Sequence, residues 1–166
     1  LDERGECGEL LYPKSEIHWG AYGIRRAAAE ISPRLERYVD PARARIEYTE
    51  RLTHITRQGD LVAYLSGKKA ESYPAETWDV LAIGNPDGTP YRDVEDSPVV
   101  VVGDSFTARF SDRSGHLSAH LAKAMGFPIT TLTTKGNAPQ ALRMLAARGS
   151  GYLHTRRVVV WILSSV

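Results

Sequence analysis

The run Val99-Val100-Val101-Val102, followed at once by Gly103-Asp104-Ser105, constrains this chain more than any other segment. Four consecutive β-branched residues with no polar alternation predict a short strand buried on both faces. Strands of that kind lie in the middle of parallel sheets covered by helices. Gly103 then permits a close turn, and Ser105 falls just beyond the carboxyl end of the strand, where open α/β sheets present their reactive groups.

The pattern continues downstream. A helix is predicted through Leu117, Leu121, Ala124 and Met125, a strand from Pro128 to Thr133, a helix from Pro139 to Ala147 and a strand from Val158 to Leu163. This βαβαβ order with right-handed crossovers predicts an α/β fold, a three-layer sandwich around a central parallel sheet. Lys135-Gly136-Asn137 and Ser164-Ser165 sit at the same strand ends as Ser105.

Upstream, Ile24, Ala27, Ala28 and Ile31 lie at helical spacing from Ala21 to Ile31, and Ser32-Pro33 interrupts them. Arg45 to Thr56 predicts a strand, and Asp60 opens a short helix through Leu61-Val62-Ala63-Tyr64-Leu65. The stretch 68–98, rich in Pro, Gly and Asp, predicts a loop-rich insertion with at most a short hairpin. The whole chain, 1–166, reads as a single domain.

Hydrophobic residues at 42% and charged residues at 25% are the proportions of a folded globular protein. A net charge of +1 gives no whole-molecule field toward nucleic acid or an anionic membrane, so no nucleic-acid partner is expected. The lone Cys7 offers neither an internal disulfide nor a thiolate cluster. There is no initiator Met, no signal-peptide pattern and no apolar run of membrane-spanning length, and both ends read as those of a fragment incomplete at its termini.

A serine hydroxyl is a poor nucleophile at neutral pH and needs a base within hydrogen-bond reach, itself held by a third group. Of the five histidines, His18 has the neighbours for this: in Ser15-Glu16-Ile17-His18-Trp19 the acid and the histidine are two positions apart, so in an extended loop both side chains emerge on one side. Trp19 would shield the pair from water. Ser105 is thus the candidate nucleophile, His18 its base and Glu16 the acid. The Ser105 N–H, Gly136 and Asn137 are candidate donors to an oxyanion.

His116 and His120 have the i, i+4 spacing of zinc ligands but lack the intervening glutamate of a zinc-protease helix. A solvated helix face is the expectation there, and neither a metal nor another cofactor is expected. A phosphate site at Gly103 would need a glycine-rich loop and a lysine that this turn lacks. Tyr73, Trp78 and Tyr91 can either stack on sugar rings or anchor the loop.

Taken together, Glu16-x-His18-Trp19 followed much later by Gly103-Asp104-Ser105-Phe106 resembles the SGNH hydrolase-like superfamily, and within it the circularly permuted alginate O-acetyltransferase branch. Tyr22-Gly23, Gly59-Asp60-Leu61 and Val158-Val159-Val160-Trp161 fit that branch as well; Glu16 stands where the branch has Asp. The resemblance implies a flavodoxin-like sheet and acetyl transfer through a serine ester to a hydroxyl of an exopolysaccharide. It also implies an acetyl donor, a membrane-bound acyl-transfer partner and a periplasmic or envelope location. A carbohydrate esterase, or a non-catalytic polysaccharide-binding domain of the same fold, are the other readings.

Overall fold

The computed structural model describes residues 10–40, 42–65, 67–134 and 138–164. In chain order the elements are α1 (Ala21–Leu35), β1 (Thr49–Arg57), α2 (Lys68–Glu71), β2 (Glu76–Gly84), β3 (Val99–Gly103), α3 (Ser105–Ala108), α4 (Leu117–Met125), β4 (Thr130–Thr133), α5 (Ala138–Ala147), α6 (Gly149–His154) and β5 (Val158–Trp161). Single turns of 3-10 helix lie at Glu36–Tyr38, Asp60–Tyr64 and Ser111–Arg113.

The valine run is the centre of the molecule. Its strand β3 pairs in parallel with β4 on one side and β5 on the other, and all four valines are 0% exposed. Val99 and Val101 face Ile24 and Ala28 of α1 and Leu117 and Leu121 of α4, while Val100 and Val102 face Leu132 and the α5 residues Ala141 and Leu145. Helices therefore cover both faces, giving the expected three layers. Each buried valine contributes roughly 1.5 kcal/mol or more of apolar burial, which fixes the strand and with it the turn at its end.

The stretch 68–98 is mostly loop, as its composition predicts, but it holds a longer strand than a short hairpin requires. It contains β2, nine residues paired antiparallel with β1 from Thr49–Gly84 to Arg57–Glu76, with Trp78, Val80, Leu81 and Ile83 buried. Asp79 and the terminal Gly84 belong to the strand, whereas Pro74, Pro86, Pro90 and Pro98 and the turn residues Asp87 and Gly88 lie outside it. Helix α1 also outlasts its predicted stop, running through Pro33 to Leu35. Pro33 withdraws one N–H near the helix end, where few bonds remain to lose, and the buried Leu35 lies on the core side of the last turn.

The predicted solvated face at His116 and His120 is corrected, because α4 is buried almost all round and both imidazoles are 4% exposed. His116 Nε2 pairs with the Asp93 carboxylate at 3.1 Å, and His120 Nδ1 lies 3.8 Å from Glu50. Burial pushes His120 down to about 4, so it is neutral inside the fold.

Candidate active site

Ser105 stands on a turn that the core dictates. A Cβ on Gly103 would lie 2.0 Å from Thr107 Oγ1 and 3.3 Å from Ile162 Cβ, so only glycine lets β3 close this tightly onto α3. Asp104 then caps α3: its Oδ1 accepts the Phe106 N–H at 3.0 Å and its Oδ2 accepts the Ser164 hydroxyl at 2.8 Å. Asp104 is buried and fully engaged, a brace between the ends of β3 and β5, whereas Ser105 is exposed. As the first residue of α3, Ser105 has an N–H that points out of the helix with no intrahelical acceptor.

His18 arrives from the irregular segment ahead of α1. The backbone folds back on itself through Gly20 N–H to Leu11 O at 2.7 Å. Trp19 pins the segment to the serine turn, its indole N–H donating to Phe106 O at 2.8 Å, and the Phe106 ring packs 4.9 Å from the His18 ring. This brings His18 Nε2 to 2.9 Å from Ser105 Oγ across 87 residues of sequence. His18 Nδ1 lies 2.7 Å from Glu16 Oε1, which also accepts the His18 backbone N–H at 3.1 Å.

Glu16 has no solvent-exposed side-chain surface, so its charge must be answered from within the protein. Its other oxygen, Oε2, accepts from Arg109 Nη2 at 2.7 Å and from Arg57 Nη2 at 3.4 Å. Burial opposes ionisation, but the hydrogen bonds from His18 and the Arg109 charge prevail and hold the carboxyl at about 2. An ionised Glu16 is an acceptor only. The Nδ1 of His18 therefore carries the proton, and Nε2 is left as the acceptor of the Ser105 hydroxyl proton. The Arg109 side chain is itself only 9% exposed, packed 5.4 Å from the Trp78 ring and 4.8 Å from the Phe110 ring, and its partial burial lowers its pKa.

The three predicted residues Ser105, His18 and Glu16 thus lie in one line. The predicted oxyanion residues Gly136 and Asn137 fall outside the described residues. Trp78 and Tyr91 are core anchors, 6% and 2% exposed, and Tyr73 is half exposed away from the cleft. Besides Phe106, the cleft beside Ser105 holds Tyr64, 80% exposed on the lip of a space of about 710 Å³ shared with Ile17, Pro139 and Leu163. Arg57 and Arg109 escaped the sequence reading, and Asp60 was read there as a helix start and a family motif without a place beside His18, although the position of Arg109 four residues after Ser105 was a signal available in the chain.

Over residues 1–164 the chain matches the family described as "SGNH hydrolase-like domain, acetyltransferase AlgX". Among solved structures it is similar to the O-acetyltransferase domain of Pseudomonas putida AlgJ, with a TM-score of 0.71 and 19% identity over 92% of this chain and 52% of that one. It is also similar to Pseudomonas aeruginosa AlgX, with a TM-score of 0.65 and 19% identity over 98% of this chain and 37% of that one. The chain therefore spans about half of the first structure and little more than a third of the second. No curated protein sequence matches it.

Proposed function

The chain belongs to the family of the SGNH hydrolase-like domain of acetyltransferase AlgX, and from that premise we propose that it moves acetyl groups through Ser105 to a hydroxyl of an exopolysaccharide of the alginate kind. The observation that carries this reading is the unbroken line Ser105 Oγ, His18 Nε2, His18 Nδ1, Glu16 Oε1, with contacts of 2.9 and 2.7 Å.

In the first half of the reaction His18 Nε2 takes the Ser105 proton as Oγ attacks the donor's acetyl carbonyl. The carbonyl oxygen becomes an oxyanion, toward which the Ser105 N–H is one donor and Gly136 and Asn137 are the others we propose. Collapse of this intermediate breaks the bond to the donor's leaving oxygen, which departs with the proton from His18 and leaves acetyl-Ser105. In the second half a sugar hydroxyl enters the cleft and gives its proton to Nε2. It attacks the ester carbonyl and releases Ser105 as the alcohol. Glu16 answers the imidazolium charge in both halves.

Tyr64 presents its ring at the cleft lip, where the C–H face of a sugar can stack, with Leu163 and Pro139 supplying apolar walls. The acetyl donor, the membrane-bound acyl-transfer partner and a periplasmic site of action belong to the same proposal. Among the described residues no helix is long and apolar enough to cross a membrane. The exposure of Ser105 favours a second reading, a carbohydrate esterase in which water replaces the sugar hydroxyl.

An activated acetyl ester, offered with and without an oligosaccharide, decides between them. Transfer predicts an acetyl group on Ser105 by mass spectrometry and acetylated sugar formed faster with longer oligomers, since binding along the acceptor then lowers the barrier. Acetate released at a rate indifferent to every acceptor would establish the esterase, and turnover persisting in Ser105→Ala would overturn both readings.

A further inference from the structure

Glu16 is not the only carboxylate beside the base. Asp60 opens the 3-10 turn after β1, and Gly59 before it lies so close to the histidine segment that a Cβ there would be 1.9 Å from Ser15 O. Leu61 N–H donates to Ser15 O at 3.0 Å, and the Asp60 N–H reaches Glu16 Oε2 at 3.4 Å, so the turn and the histidine segment are joined directly. This brings Asp60 Oδ2 to 3.4 Å from His18 Nδ1.

We infer that Asp60 is a positioning residue for His18, a second carboxylate that steadies the Nδ1–H and the imidazolium formed when Ser105 gives up its proton. The inference rests on the reading of His18 as the base. Its physical ground is a charge balance. Among the described residues the nearest cation to Glu16 is Arg109, 2.7 Å away with a side chain only 9% exposed, so much of the Glu16 charge is already answered before His18 is protonated. Arg57 adds a second guanidinium, 3.4 Å from Glu16 and 3.1 Å from Asp60.

With Glu16 alone, a protonated His18 would make three cations against one anion. Asp60 makes it three against two, at a site where the Glu16 side chain has no exposed surface and that of Arg109 has little. Asp104, the other acidic residue on the cleft, does not serve His18, since its oxygens are committed to the Phe106 N–H and the Ser164 hydroxyl. Among the described residues, the other groups in contact with the ring are the uncharged Ser105 hydroxyl and Phe106 ring. Glu16, His18 and Asp60 are close enough together to hold a cation, but guanidiniums already sit on both carboxylates, so they fit a charge-balanced base better than a metal site.

The test compares Asp60→Asn with the unaltered chain by hydrolysis of an activated acetyl ester and by NMR titration of His18 in a Ser105→Ala background. The expected result is a roughly tenfold lower kcat with little change in KM, because an anionic neighbour of an imidazolium is lost. The acid limb of the kcat/KM profile and the His18 titration should both move to lower pH, which a merely structural role would not cause. Asp60→Glu should restore part of both, and Glu16→Gln combined with Asp60→Asn should fall below Glu16→Gln alone. Asp60→Ser, neutral and smaller, gives the same comparison should the amide variant fold poorly. An unmoved acid limb together with an unmoved His18 titration in a folded neutral variant would overturn the inference. Turnover by Ser105→Ala would instead strike the serine reading, and the NMR titration would still judge Asp60.

Discussion

Ser105 stands at the end of a strand whose four valines are wholly buried, whereas His18, 2.9 Å from it, stands on an irregular segment held by polar contacts. The serine turn is set by shape: the close approach of Gly103 to Thr107, and the Asp104 cap. The histidine segment is set by charge and hydrogen bonds, through Glu16 to Arg109 and Arg57 and through Trp19 to Phe106. Ser105 thus belongs to the core, and His18 is docked onto it. Changes to polar side chains should move the base while leaving the serine in place.

The widest separation between the two regions is expected from Ser105→Ala. Activity with an acetyl ester should fall by roughly four orders of magnitude or more, as when other serine nucleophiles are removed. Thermal unfolding should be nearly unchanged, because an exposed hydroxyl is lost from a turn that packing already holds. A large drop in unfolding temperature would show that the turn is less rigid than its valines suggest.

Next comes Arg109→Met, which leaves Glu16 buried without its nearest cation. Breaking a buried ion pair costs about 3–5 kcal/mol, so urea denaturation should show most of that loss, and activity should fall with it. A change below about 1 kcal/mol would mean that Arg57 alone can hold the histidine segment.

Acid should loosen the same segment. Glu16 sits at about 2 in the folded chain against an ordinary 4.5. Between those values the unfolded chain binds more protons than the folded one, so stability rises with pH across this window. The Glu16 contribution is complete above about 4.5 and lost as pH falls toward 2. Glu16→Gln should flatten the dependence of the denaturation midpoint on pH in that range, and an unchanged acid limb would contradict the contacts assigned to Glu16.

The smallest effect is expected from Trp19→Phe, which removes one indole N–H from Phe106 O. The loss should be about 1 kcal/mol, with a several-fold fall in kcat as the base rests less well against the serine. Equal activity in this variant would show that the tether is dispensable.

The same contrast explains what the sequence could reveal. The strand, the turn and Ser105 were legible because a buried strand and the glycine behind it are local patterns. Glu16 and His18 were legible because acid and base are two residues apart. Arg57, Asp60 and Arg109 were not, since they meet Glu16 across 41, 44 and 93 residues, and no local period marks such a contact. The burial of His116 and His120 was missed for a related reason: a helical stripe predicts one covered face, and α4 is covered on nearly all of them. Strand β2 was hidden by its flanks, whose Pro, Gly and Asp residues masked the run through Trp78, Val80 and Ile83.

The contact between Ser105 and His18 also bears on when the chain becomes reactive during folding. Loop-closure entropy grows slowly, by about 0.6 kcal/mol per doubling of length, so this contact across 87 residues costs no more than the packing of α1 on α4 that builds the core. A chain whose histidine segment has not docked holds the Ser105 hydroxyl with no imidazole beside it. Reactivity toward esters therefore reports the docking of that segment and not the collapse of the sheet alone.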